Sequence, residues 1–184
     1  IRGVNGRLNY LGEEICPLDQ KALLTAADEL INKAGCEAIA LNFLHSYANT
    51  KHESLAIELL SEYFPNTAIS AGGLLANEYR EYERTSTAVL DAYIKPVLKD
   101  YLQNLKSGIE HAGFTGKFYA MNSAGGALTF QMAEAKPIST IFSGPAGGVS
   151  GALNLAKTME KNKLLSLTPK KYIGYAIDLC DDKK

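Results

Sequence analysis

The sequence predicts an α/β fold with a mixed, mostly parallel sheet and flanking helices. Three observations support this prediction. Short apolar runs alternate along the 184-residue chain with longer segments in which apolar residues recur at helical spacing. The run Cys36–Leu44 is almost continuously apolar, which is typical of a strand covered on both faces. The pair Asn5-Gly6 favours a two-residue hairpin turn, which adds an antiparallel portion between strands Ile1–Val4 and Arg7–Leu11.

Two helices are predicted on either side of the apolar strand. The first covers Leu18–Ala34, with Asp19 as its N-cap and Gly35 as its stop. The second begins with a capping box, in which Thr50 caps the N–H of Glu53 and the Glu53 side chain reaches back. The polar loop 45–49 between strand and second helix lies at a strand's carboxyl end, where α/β sheets tend to bind ligands.

The remaining predicted elements follow in chain order. A strand Thr67–Ser70 is followed by a turn at Gly72-Gly73, and a long helix Ser86–Ala112 is kinked at Pro96 and closed by Gly113. Next come a strand Lys117–Asn122, a short helix Phe130–Ala135 and a helix after Ser143. The last two are an exposed loop Glu160–Pro169 and a strand Tyr172–Leu179. The predicted apolar face of the long helix consists of Val89, Leu90, Tyr93, Val97, Leu98, Tyr101, Leu102, Leu105 and Ile109.

The composition excludes several classes of partner. The net charge is −1, so we expect no nucleic-acid partner. No apolar run is long enough for a membrane span, and we expect no membrane partner. The three cysteines include no Cys-x-x-Cys pair, so reduced thiols and a cytoplasmic location are expected.

The stretch Ser143–Val149 is a small-residue loop that turns directly into a helix. Ser143 or Gly144 is the predicted N-cap, and Pro145 suits the first helical position. Each further glycine in the first turn costs about 1 kcal/mol relative to alanine. The glycines therefore indicate a close approach, either by another backbone or by an anionic ligand at the positive end of the helix.

Five short motifs occur in a fixed order: His45-Ser46-Tyr47-Ala48-Asn49, then residues 80–87, then residues 92–98, then residues 121–126, then residues 143–149. Together they closely resemble the hydantoinase A/oxoprolinase family over nearly the whole chain. The resemblance implies an actin-like ATPase fold of the ribonuclease H-like type. It also implies ATP and Mg as cofactors, a small cyclic amide as substrate, ring opening of a hydantoin or lactam through carbonyl activation, and a B-type subunit as partner.

The same resemblance implies a division of the chain and a role for Asp178. Residues 1–136 would be part of the first actin-like domain without its phosphate loop, and residues 137–184 would lead into a truncated second domain. Asp178 stands where the leading aspartate of the second phosphate loop belongs, which makes it the predicted catalytic and metal-binding residue. Leu179–Lys184 depart from the expected glycines and threonine. We therefore expect a fragment that is inactive alone, and a non-catalytic remnant or assembly domain remains the alternative.

The predicted site residues are carried by these motifs. The predicted cofactor-binding residues are Ser143, Gly144, Pro145, Ala146, Gly147 and Gly148, with helix packing as the alternative. The predicted substrate-binding residues are His45, Glu83, Arg84, Thr85, Asn122, Ser123, Gly125 and Gly126. Their alternatives are a structural histidine, a surface salt-bridge patch and a tight turn. Hydantoin, 5-oxoproline and a ketone all remain open as substrates.

Overall fold

The structure is a computed structural model that describes residues 1–161, 163–167 and 174–178. The chain divides into two compact units, Ile1–Tyr101 and Leu102–Lys184. The predicted division into domains at residue 136 stays a prediction.

The first unit contains four short strands and most of the helices. Its elements are β1 (Arg7–Leu8), β2 (Glu14–Cys16), α1 (Gln20–Asp28) with a π-helical extension Glu29–Lys33, β3 (Ala38–Leu41), α2 (Lys51–Tyr63), β4 (Ala68–Ala71), α3 (Gly72–Leu75) and α4 (Glu81–His111), which continues into the second unit. The strands β1 and β2 pair antiparallel. The strands β3 and β4 pair parallel, with Ala38 opposite Ala68 and Leu41 opposite Ala71.

In its described residues, the second unit contains the end of α4, two antiparallel strand pairs and two further α-helices. Its elements are β5 (Tyr119–Met121), β6 (Ala127–Thr129), α5 (Phe130–Ala135), a 3₁₀ turn Pro137–Thr140, α6 (Ser143–Thr158), β7 (Lys163–Leu167) and β8 (Gly174–Asp178). The pairs are β5 with β6 and β7 with β8. The predicted helix Phe130–Ala135 is confirmed with its bounds. The prediction of an exposed loop over Glu160–Pro169 is wrong where residues 163–167 form β7.

The strand pairing corrects the predicted sheet. A mixed α/β architecture is confirmed, but among the described strands only β3 and β4 are parallel. The prediction of a mostly parallel sheet is therefore wrong for this part of the chain. The reason is connection length: a tight turn returns the chain antiparallel, whereas a parallel pair needs a crossover, and here α2 supplies it between β3 and β4.

One apolar core holds the first unit together. Leu23 and Ala27 of α1 and Ala56 and Leu60 of α2 pack against the strand residues Ile39, Leu41 and Ala71. Each fully buried large side chain of this kind contributes about 1.5–3 kcal/mol of transfer free energy. The core fixes β3 and β4 side by side, so that the loops after both strands emerge at the same edge of the sheet.

The hairpin lies elsewhere than predicted. Ile1–Val4 forms no strand, and β1 pairs with β2 across a turn at residues 9–12. The Asn9 carboxamide Oδ1 accepts the N–H groups of Leu11 and Glu13, both at 2.9 Å, and Gly12 takes a φ of +82°. This side-chain turn is a local alternative to the Asn-Gly turn. The Asn5 carbonyl instead accepts the N–H of Asp19 at 2.8 Å.

Three predicted helix ends in this unit and at the end of α4 are confirmed, and the predicted capping box of α2 is wrong. Asp19 caps α1, because its Oδ1 accepts the N–H of Ala22 at 2.9 Å. Gly35 and Gly113 follow helices with φ values of +69° and +91°. The capping box is wrong: the Thr50 side chain makes no cap hydrogen bond to α2, and Glu53 is buried and bonds to other loops.

The buried face of α4 also differs from the prediction. The helix begins at Glu81, before the predicted start at Ser86. Of its predicted apolar face, Leu102 is buried as predicted, whereas Tyr93 is 77% exposed and Val97 is 71% exposed. Ala88, Asp91 and Ala92 are buried instead. Asp91 accepts a 2.6 Å hydrogen bond from the Ser70 hydroxyl of β4. This buried polar contact links the covered face of α4 to β4.

An ion-pair cluster joins β2 to α2 and predicts a pH dependence. The Lys51 ammonium hydrogen-bonds Glu14 at 2.8 Å, the His52 imidazole lies 2.8 Å from the same carboxylate, and both lower the pKa of Glu14 from 4.5. A lowered folded-state pKa means that this stabilisation is present above pH 4.5 and is lost as the pH falls through the folded-state pKa.

We expect Glu14→Gln to flatten the acid limb of the curve of unfolding free energy against pH, measured by urea denaturation. The exposed Glu62→Gln is the control, and an unchanged acid limb in Glu14→Gln would contradict the prediction.

Candidate functional site

The predicted site residues fall into two groups, one in each unit. His45, Glu83, Arg84 and Thr85 belong to the first unit. Asn122, Ser123, Gly125, Gly126 and the residues of the small-residue helix start belong to the second.

The first group lies where the parallel strands β3 and β4 end. Asn42 follows β3 directly, and the consecutive glycines Gly72 and Gly73 follow β4. A Cβ on Gly72 would stand 2.7 Å from Asn42 Oδ1, and a Cβ on Gly73 would stand 2.8 Å from Ser46 Oγ. Both distances are shorter than a Cβ allows. The predicted turn at these glycines is therefore a helical turn, α3, packed directly against the loop after β3.

Arg84 is fully buried and crosslinks three segments. Its Nη1 donates to the carbonyls of Glu78 at 2.7 Å and Tyr79 at 3.2 Å. Its Nη2 donates to the carbonyl of Phe43 at 3.1 Å, and the guanidinium carbon lies 5.5 Å from the centre of the Tyr47 ring. Both terminal nitrogens are thus engaged by the protein itself, while the Nε has no hydrogen-bond partner in the described residues.

Glu81 anchors the histidine loop, and the sequence did not single it out. Burial raises its pKa, but backbone N–H groups of Glu81 itself and of His45, together with the nearby Arg84, outweigh that effect and place the pKa below 4.5. The Glu81 carboxylate is therefore charged near neutral pH. One turn later the Thr85 hydroxyl donates to the Glu81 carbonyl at 2.7 Å and accepts from Asn42 Nδ2 at 2.5 Å.

His45 has an uncommon backbone conformation and an unpartnered ring nitrogen. Its φ is +62°, in the left-handed region that few residues other than glycine adopt. Its ring meets Tyr47 edge-on at 5.8 Å. Within the described ranges, the buried side-chain atoms without a hydrogen-bond partner include His45 Nδ1, Asn42 Oδ1, Ser46 Oγ and Arg84 Nε. Unpaired buried polar atoms are costly, so this end of the sheet offers donors and acceptors to a small polar group.

Glu83 lies apart from this cluster. Its carboxylate pairs with Arg80 at 3.3 Å, and both side chains are exposed. This matches the surface salt-bridge alternative for Glu83. Its proposed contact with substrate stays a prediction.

Glu53 joins the loops after both strands and was assigned only a helix-capping role from sequence. Its Oε1 accepts the N–H of Phe43 at 3.2 Å, and its Oε2 accepts the N–H of Gly73 at 2.8 Å. A sequence signal did exist, because Glu53, Ala56 and Leu60 share one face of a helix. A carboxylate on an apolar face indicates a buried acceptor for backbone donors.

In the second unit, residues 122–126 form the turn between β5 and β6. Asn122 donates its N–H to the Gly126 carbonyl at 2.9 Å, and Gly125 donates to the Asn122 carbonyl at 2.9 Å. Gly125 and Gly126 take φ values of +92° and +79°, which explains why both are glycines. Residues 122–126 thus have the geometry of a tight turn, which was the alternative to substrate binding. The contact of Asn122, Gly125 and Gly126 with substrate stays a prediction.

Ser123 connects this turn to the start of α6. Its N–H donates to the Ser139 carbonyl at 2.6 Å, and its Oγ accepts the N–H of Phe142 at 2.9 Å. The predicted N-cap at Ser143 or Gly144 is wrong, because the helix begins at Ser143 and Phe142 is the N-cap residue. The Ser123 hydroxyl, from the turn between β5 and β6, therefore takes the place of a capping side chain at the start of α6 itself.

Removing that hydroxyl should weaken the second unit. We expect Ser123→Ala to lower the free energy of unfolding by about 1 kcal/mol, the usual cost of losing a helix cap. Urea denaturation measures the change, and the substitution Ser150→Ala at an exposed position of α6 is the control. A loss no larger than that of the control would show that the hydroxyl does not stabilise the helix start.

A cavity of about 500 Å³ lies beside the helix start. It is lined by Ser123, Ala124, Gly125, Phe142, Pro145, Ala146, Val149, Ser150 and Leu153. Two predicted substrate-binding residues, Ser123 and Gly125, and two predicted cofactor-binding residues, Pro145 and Ala146, thus line the same cavity. A Cβ on Gly147 would touch the Met121 side chain at 3.5 Å, whereas a Cβ on Gly144 would meet no atom within 4 Å. Close packing within the described part of the unit therefore does not explain why residue 144 is glycine.

Asp178 is the last residue of β8 and pairs with Lys163 in the strand ladder. Its side chain and Leu179–Lys184 lie outside the described residues. In the part of the chain that the structure describes, no three histidine, cysteine, aspartate or glutamate side chains form a group that could hold a metal ion. No helix in the described ranges is both long and apolar enough to cross a membrane.

Comparison with known sequences finds one family. The profile of the hydantoinase/oxoprolinase family matches residues 84–168, and that of its N-terminal region matches residues 1–64. The chain is 30% identical over 166 residues to the caprolactamase α subunit of Pseudomonas jessenii, covering 90% of this chain and 24% of that protein. It is 32% identical over 124 residues to 5-oxoprolinase of Saccharomyces cerevisiae, covering 67% of this chain and 9% of that protein.

Two solved structures have the same fold over most of the chain. The ATP-dependent caprolactamase from Pseudomonas jessenii superposes with a TM-score of 0.79 at 29% identity, over 89% of this chain and 24% of that one. Nucleotide-free acetone carboxylase superposes with a TM-score of 0.76 at 27% identity, over 89% of this chain and 23% of that one. The chain spans about a quarter or less of the length of these relatives.

Proposed function

Because this chain belongs to the hydantoinase/oxoprolinase family, we propose that it is part of an ATP-dependent enzyme that activates the carbonyl of a small cyclic amide for ring opening. Two relatives, caprolactamase and 5-oxoprolinase, are named for cyclic amides. The solved caprolactamase and the acetone carboxylation reaction are both described as ATP-dependent. Lactams and ketones both carry a carbonyl group, so we infer carbonyl activation by ATP as a shared chemistry and extend it to this chain.

The observation that carries the proposal is the start of α6 beside its cavity. The first N–H groups of a helix have no partner within the helix, and its positive end favours phosphate. The Phe142 N–H is already taken by Ser123 Oγ, and Pro145 has no N–H. Ser143 and Gly144 are left to donate to phosphate oxygens, and the open space at Gly144 leaves room for them. We assign nucleotide binding to Ser143–Gly148 on this basis.

The other roles follow from the same proposal. Bound ATP with Mg²⁺ would supply the driving force for opening a stable amide ring. Asp178 would hold the metal ion, and the cluster of His45, Arg84 and Thr85 would face the substrate in the longer enzyme, with Asn122, Ser123, Gly125 and Gly126 near the phosphates. Caprolactamase α and acetone carboxylase β are subunits by name, so we also propose a partner subunit of the B type.

Nucleotide binding by this chain tests the phosphate assignment. Mg·ATP is titrated calorimetrically into the protein and into Gly144→Asp, which adds a carboxylate at the helix start without a steric clash. Gly151→Asp is the matched control, because a Cβ there also meets no atom within 4 Å. We expect Gly144→Asp to weaken binding by about tenfold or more, equivalent to 1.4 kcal/mol, and Gly151→Asp to leave it nearly unchanged. Equal affinities, or no binding at millimolar nucleotide, would overturn the assignment.

Phosphate release from ATP by the longer enzyme that contains this chain separates the candidate reactions. Hydantoin, 5-oxoproline, a lactam and acetone with bicarbonate are added in turn. Release stimulated by a cyclic amide supports ring opening, whereas release stimulated by acetone alone replaces it with ketone activation. Binding of nucleotide without release in any of these mixtures favours the non-catalytic alternative, a binding or assembly domain.

A further inference from the structure

The dipeptide Asn5-Gly6 is the only place in the sequence where glycine follows asparagine. The structure does not use it as a hairpin turn, since β1 pairs with β2 across residues 9–12. Asn5 is exposed, and the structure shows no hydrogen bond to its side chain from any described residue. We propose that Asn5 is a site of spontaneous deamidation in the folded protein, yielding aspartate and isoaspartate.

The chemistry needs only these two residues and water. The Gly6 nitrogen, after losing its proton, attacks the Asn5 Cγ; a C–N bond forms, and the side-chain amide leaves as ammonia. The product is a five-membered cyclic imide. Water then opens the imide at one of its two carbonyls, which gives either aspartate with the original backbone or isoaspartate with the backbone running through Cβ and Cγ. Glycine exposes its nitrogen because it has no side chain to shield it.

The neighbouring structure leaves both reacting groups free. The Asn5 carbonyl is held by the N–H of Asp19 at 2.8 Å, but no described residue bonds to the Gly6 N–H. A Cβ on Gly6 would stand only 3.2 Å from the Leu18 Cα, so this site also disfavours the larger residues that would slow the reaction.

Several other asparagines have their side chains engaged in hydrogen bonds. Asn9 Oδ1 accepts two backbone N–H groups, and Asn49 donates to the Gly12 carbonyl at 2.8 Å and accepts from the Lys51 N–H at 2.9 Å. Asn122 is the natural comparison, because Ser123 is also small. Its Oδ1 accepts the Ala124 N–H at 3.1 Å, and its own N–H and carbonyl belong to the turn between β5 and β6.

Isoaspartate formation would change the anchoring of α1. The backbone between residues 5 and 6 becomes one atom longer, and the former Asn5 carbonyl becomes a free carboxylate. The hydrogen bond from Asp19, the N-cap residue of α1, and the packing of Gly6 on Leu18 then no longer fit the same backbone path. We expect faster hydrogen exchange at the Asp19 amide in the modified protein.

Peptide mapping tests the proposal. The folded protein is incubated at mildly alkaline pH, and peptides are separated by mass spectrometry that distinguishes aspartate from isoaspartate. We expect Asn5 to be modified several-fold faster than Asn122, with a rate that rises with pH because the Gly6 N–H must ionise. Asn5→Gln should remove this product, and Asn122→Gln, the matched control, should leave it unchanged. The proposal is overturned if Asn5 is no faster than Asn122, or if it reacts only in denaturant.

Discussion

Arg84→Met is expected to lower the free energy of unfolding of the first unit by about 3–5 kcal/mol. Arg84 is fully buried and donates to the carbonyls of Glu78, Tyr79 and Phe43. Methionine fills much of the volume but leaves these carbonyls without their donor, and each unpaired buried group costs free energy. Arg84→Lys should recover only part of the loss, because an ammonium cannot reproduce the planar fork of the guanidinium. Urea denaturation of the chain measures all three proteins.

Arg80→Met is the matched control for Arg84. Arg80 lies one turn earlier, its side chain is 77% exposed, and its contact is a single surface pair with Glu83. Its replacement should change the stability by no more than about 0.5 kcal/mol. If Arg84→Met were as mild as this control, Arg84 would not be a structural crosslink, and its predicted role in contacting substrate would become the stronger explanation.

Glu53→Ala is expected to cost about 2–6 kcal/mol of unfolding free energy, at about 1–3 kcal/mol for each of the two backbone donors left unpaired. The carboxylate accepts the N–H of Phe43 and the N–H of Gly73, so its removal frees the loops after β3 and β4 together. The same change should raise hydrogen exchange at these two amides before it affects the rest of the unit. Glu53→Gln keeps one acceptor oxygen and should lose less.

Glu58→Ala controls for loss of a carboxylate from the same helix. Glu58 is exposed on α2 and should change stability by no more than about 0.5 kcal/mol when replaced. Equal effects of the two alanine substitutions, or unchanged exchange at the Phe43 and Gly73 amides, would disprove the role given to Glu53.

Residues of the candidate site could be singled out from the sequence, but their contacts could not. The reason is that these contacts join residues far apart in the chain. The motifs of the family singled out Arg84, Ser123 and the start of α6 as binding residues, and those binding roles stay predictions. Their contacts could not be predicted, because Arg84 bonds to Phe43, 41 residues away, and Ser123 bonds to Phe142, 19 residues away. Glu81 escaped notice for the same reason, since its hold on the His45 loop depends on a contact between separate segments.

The sequence by itself determined the family and three of the helix ends. Asp19, Gly35 and Gly113 act within a few residues of their own positions, so a cap or stop residue shows its role in the sequence around it. Only the tertiary structure decided which strands pair and in which direction, which face of α4 is buried, and where the Glu53 carboxylate points. These outcomes depend on contacts between segments far apart in the chain, where an apolar stripe or a glutamate has several possible partners and packing selects one.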